Sequence, residues 1–353
     1  MTNRNESQRI YGSPLRGRRV HGRAAAVPLT LGGNVITQLT PSILDVTIRD
    51  GGYVNGHRWT YQEARQVLAA LERAGVPGAE VGYLRDGDDA LYPSAHCPPE
   101  YLEELSTVAG SCELVVMVRP GEVDPARLDR LPGEGVRGVR VLVPRGDLPA
   151  AEPYVVRARD AGLHVTCNLT HVSKAAPGEL ALSAEKLVHM GAGRVYLADS
   201  NGSLYPEGAA ERVRALAGAL PETVDIGFHP HDNLSLAYAN SLAAVEAGAA
   251  ALDASLSGIG KGGGNLSLEL IVAHFVARGA TGLSLGPLAQ DATSLAGRLR
   301  MVAEGPVKPI VSGLLDLGLK DAPLLEAASV RNEYDRLITD LSPVNVRNLE
   351  RKQ

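Results

Sequence analysis

The chain has 353 residues, 44% of them hydrophobic and 21% charged, with a formal net charge of −5 and a pI near 6.0. That is enough apolar chain to bury one large α/β domain or two ordinary ones, and its balance excludes a disordered chain and leaves no electrostatic footprint for nucleic acid or a membrane surface. Cys97, Cys112 and Cys167 are odd in number and lack C-x-x-C spacing, which argues against a disulfide scaffold or zinc ribbon and for a reducing cytoplasm.

Residues 1–40 open the chain as a polar arm expected to be flexible, with Arg4, Arg9, Arg16, Arg18, Arg19 and Arg23 as its one basic stretch. It carries no apolar signal-peptide core, and no run in the chain approaches the ~20 apolar residues of a membrane span, so a cytoplasmic location is expected. Short β-branched runs then alternate with amphipathic ones. Strands are predicted at 43–48, 79–83, 114–118, 138–143, 164–168, 194–198, 224–228 and 251–256, and helices at 62–74, 100–108, 124–131, 149–161, 178–190, 207–219, 234–248 and 266–277. Eight β/α units in about 235 residues predict a closed parallel (β/α)₈ barrel, the TIM architecture, over residues 41–280. An open doubly wound sheet would carry a glycine fingerprint after its first strand, where this chain has Arg49-Asp50-Gly51-Gly52-Tyr53. Beyond 280, proline and glycine punctuate short helical pieces at 288–302 and 323–339. A C-terminal helical appendage (281–353) is expected to pack on the barrel or on a partner subunit.

Unusual polar residues gather at the carboxyl ends of the predicted strands, where barrel enzymes build their sites. His229-Pro230-His231 ends the run VDIGFHPHDN. Residues i and i+2 of a strand share a face, so both imidazoles aim at one spot. Asp50 follows strand 1 and Asn265 ends the loop after strand 8, strands 7, 8 and 1 are consecutive once the barrel closes, and two imidazoles with a carboxylate make a familiar open metal site. Arg49 is either a surface ion-pair partner of Asp50 or the cation that stabilises an enolate. Tyr53 and His57 could exchange a proton with a substrate hydroxyl or serve only as a lid. Glu80 is placed to hydrogen-bond Arg49 or metal-bound water, or to be a satisfied core carboxylate. Asp232 could orient a ligating imidazole or simply cap the next helix. Asn168, Asp199, Gly262 and Gly263 are expected to contact substrate, the glycines through a loop, GIGKGGGN, that brings backbone amides to an anion. That loop holds a formal G-x-G-x-x-G at Gly258, Gly260 and Gly263, but it follows the last strand and no acid stands about 20 residues on, so dinucleotide binding is not supported.

Assembled, these motifs resemble the metal-dependent lyase superfamily of (β/α)₈ barrels that includes hydroxymethylglutaryl-CoA lyase, isopropylmalate and homocitrate synthases, and 4-hydroxy-2-oxovalerate aldolase. The resemblance spans roughly residues 43–278 and rests on D-x-T-x-R-D-G at 45–51, H-x-H at 229–231, ANSLAAVEAG from Ala239, and GIGKGGGN ending at Asn265. The stretch from His229 is most similar to the aldolase branch. The resemblance implies that Asp50, His229 and His231 bind a divalent metal (Mn²⁺ or Mg²⁺, with Zn²⁺ or Co²⁺ as other fits), with Asn265 as a further ligand or neighbour. It implies that Arg49 stabilises an enolate derived from a 2-oxo acid substrate, and that the enzyme works as a homodimer. Two departures stand out. The aldolases place a histidine base four residues after the Arg of R-D, where this chain has Tyr53, and His57 matches a different family histidine. Their C-terminal helical module, with its contacts to an aldehyde dehydrogenase, has no convincing counterpart, so that partner is not expected. The reading is an aldolase or lyase acting beside a 2-oxo acid. A Claisen-type synthase on the same barrel and a non-catalytic partner subunit stand as the alternatives.

Overall fold

A computed structural model describes residues 26–31, 34–87, 91–144, 147–289, 307–331 and 333–341 of the chain. Eight strands close into a parallel barrel: β3 (Ser42–Asp45), β4 (Gly78–Leu84), β5 (Glu113–Val118), β6 (Gly138–Val143), β7 (His164–Leu169), β8 (Arg194–Asp199), β9 (Asp225–Pro230) and β10 (Ala251–Ala254). Closure is made by β10 on β3, with Ala251 opposite Ser42 and Ala254 opposite Asp45. The first strand is shorter than predicted. After Asp45 the backbone curls into a tight turn, Asp50 N–H donating to the Val46 carbonyl at 2.8 Å, and this swings Arg49 and Asp50 over the barrel mouth instead of along its wall. Two glycines permit it: a Cβ on Gly51 would lie 2.8 Å from the Ile259 side chain, and one on Gly52 2.3 Å from Nδ1 of His57.

The helices are amphipathic and bury one face against the strands. Helix α1 (Tyr61–Ala74) shows the local logic. Thr60 and Glu63 form a reciprocal capping box, Val67, Leu68 and Leu71 turn inward, and Gly75 ends the helix in the left-handed region at φ 73°. The main core lies in this strand–helix layer and includes Trp59, Leu68, Tyr101 and Phe228. The predicted helix at 124–131 is a 3₁₀ segment, Pro125–Arg130, and the one predicted at 234–248 starts later, at Ala237. All three cysteines are free and buried, and burial raises their thiol pKa values.

Strands β1 (Ala26–Leu31) and β2 (Asn34–Leu39) pair antiparallel, Leu31 opposite Asn34, within the stretch expected as a flexible arm. The β-branched residues of AVPLTL and NVITQL, on either side of a Gly-Gly pair in the sequence, are hairpin chemistry. The arginines at 4–23 lie outside the described residues, as does most of the helical piece expected at 288–302. The appendage contributes α8 (Val307–Leu315), α9 (Ala322–Arg331) and α10 (Tyr334–Leu341). It packs on the barrel's carboxyl face through Asp316, whose Oδ1 accepts from Ser173, Asn201 and Ser203 at 3.1, 2.7 and 3.1 Å. Among the described residues, no helix is long and apolar enough to cross a membrane.

Candidate metal centre and active-site cavity

Asp50, His229 and His231 each offer a ligand atom, and these atoms lie within 4.8 Å of one another, all three residues buried. The i, i+2 spacing on β9 does what it predicts, and the two imidazoles stand edge-to-face with centroids 4.9 Å apart. Each ring is held from behind. Nδ1 of His229 lies 2.8 Å from Oδ2 of Asp253, and Nδ1 of His231 lies 3.2 Å from the Gly264 carbonyl oxygen. A carboxylate and a carbonyl can only accept, so both Nδ1 atoms carry protons and both Nε2 atoms are left for a cation. Burial pushes the His231 pKa down to about 3, keeping that ring neutral as a ligand must be. Asn265 donates from Nδ2 to Asp50 at 3.2 Å and to the Ile259 carbonyl at 3.0 Å, while its buried Oδ1 has no partner. A carboxylate, two imidazoles and an orphaned amide oxygen fit a divalent ion.

Beneath these ligands the barrel is filled with charge. Arg49 Nε donates to Glu80 Oε2 at 2.5 Å, and its Nη1 donates to Asp50. Arg140 reaches across the interior to grip Asp253 with both Nη atoms, and its Nε lies 3.4 Å from Glu80. Gly227 makes room for Tyr196, whose ring lies under the Arg140 guanidinium at 4.2 Å. Three carboxylates against two guanidinium ions leave this buried group one negative charge in excess. A divalent cation would make it one positive charge, and an anionic substrate would then balance it. Burial alone would raise the Asp50 pKa, but Arg49 and the two imidazoles outweigh it and hold the carboxylate well below its usual range.

Above the ligands opens a cavity of about 530 Å³ lined by Arg49, Asp50, Asn168, His229, His231 and Lys261, among others. One Arg49 nitrogen, Nη2, is buried without a partner, and so is Oδ1 of Asn168. Tyr53 lines the same cavity with its hydroxyl 3.4 Å from that of Tyr83. His57 sits edge-on to both tyrosines at 5.0 and 5.3 Å, and burial pushes its pKa down to about 4.

Several expectations need correction. Glu80 does hydrogen-bond Arg49, as expected, but it lies below the cavity without lining it, so it is a positioning residue and does not touch the space itself. Asp199 is outside the lining too: its two oxygens accept from the backbone of Ser203 and Leu204 at 3.0 Å each, which shapes the loop after β8. Gly263 donates to Asn233 at 2.8 Å and Gly262 faces a second recess, so it is Lys261, not the glycines, that the loop brings into the cavity. Asp232 caps the following segment by accepting from Ala237 N–H at 2.9 Å, and the orienting carboxylate is Asp253. Asp253 and Arg140 were missed, although a lone charge inside an otherwise apolar strand (ALDA, GVRVLV) is the anomaly that marks them.

A (β/α)₈ barrel with this ligand set at its carboxyl mouth defines a metal-dependent enzyme acting on a small anionic substrate. The HMGL-like family model matches residues 148–294. Oxaloacetate decarboxylase of Mycobacterium tuberculosis is 34% identical over 69% of this chain and 72% of its own. 4-Hydroxy-2-oxovalerate aldolase 2 of Nocardia farcinica is 36% identical over 74% of this chain and 76% of its own. The fold is shared with the carboxyl transferase domain of Rhizobium etli pyruvate carboxylase, at a TM-score of 0.67 and 19% identity over 84% of this chain and 54% of that one. The chain belongs to the HMGL-like family.

If the three ligands hold one ion, Asp50→Asn and His229→Ala will each lose metal on dialysis that the native protein retains. Elemental analysis measures it, and full retention in both variants would refute the site.

Proposed function

We infer that this protein is an aldolase that cleaves or forms a carbon–carbon bond next to a 2-oxo acid through an enolate. The observation that carries the reading is the unpartnered Nη2 of Arg49, buried at a cavity floor beside three metal-binding side chains. The names of the relatives support the same chemistry. When bound to Asp50, His229 and His231, Mn²⁺ or Mg²⁺ would supply Lewis acidity toward the 2-oxo acid.

The chain's own groups do the rest. In the cleavage direction the 4-hydroxyl of the substrate loses its proton to the loop after β3. The proton acceptor is a group of that loop, Tyr53, which lines the cavity, or His57, which stands edge-on behind it. As the C3–C4 bond breaks, its electron pair moves toward the 2-oxo group, the 4-carbon leaves as an aldehyde, and Arg49 faces the charge that develops on the enolate oxygen. Protonation at C3 then gives the pyruvate-type product. Glu80 and Asp50 fix the guanidinium through Nε and Nη1, which leaves Nη2 preorganised for the substrate.

The test is incubation of pyruvate with the Mn²⁺- or Mg²⁺-loaded protein in deuterated water. Methyl deuteration, read by mass spectrometry, is expected. Its absence with several 2-oxo acids would refute the enolate. Loss of carbon dioxide from a 2-oxo diacid, the reaction in the name of the Mycobacterium relative, passes through the same enolate and is told apart by the leaving fragment.

A further inference from the structure

Enolate chemistry on a 2-oxo acid uses Arg49 and the three ligands at the cavity floor. The cavity lining also carries cations that this chemistry leaves idle, one of them, Lys261, beside the floor, where its backbone N–H donates to Asp50 at 3.2 Å. His171 and Lys174 come from the loop after β7, Lys261 from the loop after β10, and Lys320 from the appendage, and all four line the cavity. They are neighbours of one another. The imidazole pKa of His171 is lowered by burial and then by Lys261 and Lys174, with Asp316 opposing and Lys320 adding to the shift. Gly318, Leu319 and Lys320 line the cavity together with His171, so the appendage borders this side of it.

The acids nearby are already engaged. Asp316 is bonded to Ser173, Asn201 and Ser203, and Asp321 accepts from the Gly318 N–H at 2.8 Å. Lys261 Nζ reaches only a carbonyl, that of Ser200 at 3.0 Å. Among the described residues, no acid pairs with the ammonium of Lys174 or Lys320, and the buried Nδ1 of His171 has no partner. Between floor and cationic wall the lining is apolar, through Met117, Leu142 and Ala198. A substrate spanning the cavity therefore runs from a charged floor along an apolar side to a second charged end. Asp50 and Asp199 act on Lys261, but a methyl-terminated aldehyde fragment would leave Lys174 and Lys320 at the cavity with no anion paired to them.

We propose that Lys174, Lys261, Lys320 and His171 form a second anion subsite, so that the aldehyde fragment of the true substrate carries a carboxylate or phosphate at its far end. The proposal rests on the enolate reading above and adds the class of substrate.

The experiment measures carbon–carbon bond formation from pyruvate by the metal-loaded protein with paired aldehydes. Succinic semialdehyde is set against butanal, and glyceraldehyde 3-phosphate against glyceraldehyde. In at least one pair, kcat/KM is expected to favour the anionic member by about tenfold or more, the effect of a hydrogen bond to a charged group, and the winning pair identifies carboxylate or phosphate. The double variant Lys174→Met/Lys320→Met should bring that ratio close to unity, and a ratio is insensitive to the fraction of variant that folds. Neutral aldehydes used equally well in both pairs, or a ratio untouched by the double variant, would overturn the subsite while pyruvate deuteration still stands. Absence of both deuteration and condensation removes the enolate reading and the subsite with it.

Discussion

Arg49→Lys is expected to keep its metal and lose turnover, by about 10²–10³ in kcat, the usual loss when a stabiliser of developing charge is removed. Both side chains are cations, so net charge cannot explain the loss. Arg49 is a fork with two prongs already committed, Nε to Glu80 and Nη1 to Asp50, and the third, Nη2, buried and unpaired. An ammonium on a flexible stem presents one point of charge and cannot satisfy Glu80 and Asp50 while also meeting an enolate oxygen. Steady-state kinetics on the native protein's best aldol substrate, with elemental analysis of the same sample, checks it. Native turnover in the lysine variant would show that charge near the metal suffices and that the fork has no role. Arg49→Ala should lose at least as much activity and also stability, because it strips Glu80 of its shorter ion pair in a site that water does not reach.

The metal ligands and the barrel were legible because their signals are local. His229 and His231 declare their shared face by spacing alone, and seven of the eight predicted barrel strands overlap the observed ones to within about two residues at each end. The first strand was overextended because Val46 and Ile48 continue its β-branched pattern, although they lie in the turn that delivers Arg49 and Asp50. Tertiary context decided against propensity there. Asp199 was misread for a related reason. A polar residue at a strand's carboxyl end can serve the substrate or tie down its own loop, and which backbone N–H groups come within reach is settled only by the fold.

Harder to read was the buried charge beneath the ligands. Glu80, Arg140 and Asp253 sit on β4, β6 and β10, separated by up to 173 residues of chain between Glu80 and Asp253, and their pairing follows from barrel closure. Each alone looks like an error in a hydrophobic strand. Together they form a relay from Arg49 through Glu80, Arg140 and Asp253 to His229, which joins the cation proposed to stabilise the enolate to a candidate metal ligand by direct contacts. The cationic wall was invisible for another reason. Lys174 and Lys320 stand in no motif, Lys261 lies inside GIGKGGGN without being singled out there, and only the docking of the appendage by Asp316 brings Lys320 to the other two.

Asp253 holds two posts in that relay, and its variants should separate them. Asp253→Ala removes both the acceptor that fixes the His229 ring and the bidentate partner of Arg140. Metal affinity is expected to fall about 10–100-fold, the usual effect of losing a carboxylate behind a ligating histidine. The metal-free protein should also lose about 3–5 kcal/mol of stability, because Arg140 is left wholly buried with only Glu80, at 3.4 Å, to balance it. Asp253→Asn keeps an oxygen that can accept from Nδ1 of His229 but no longer neutralises the guanidinium. It should therefore hold metal better than the alanine variant while remaining destabilised. Titration with Mn²⁺ measures the first quantity and urea unfolding of the metal-free protein the second. If the two variants fall together in both, orientation of His229 and neutralisation of Arg140 are one function and not two. If the alanine variant binds metal as tightly as the native protein, the ring is positioned by β9 alone and the carboxylate behind it is there for the arginine.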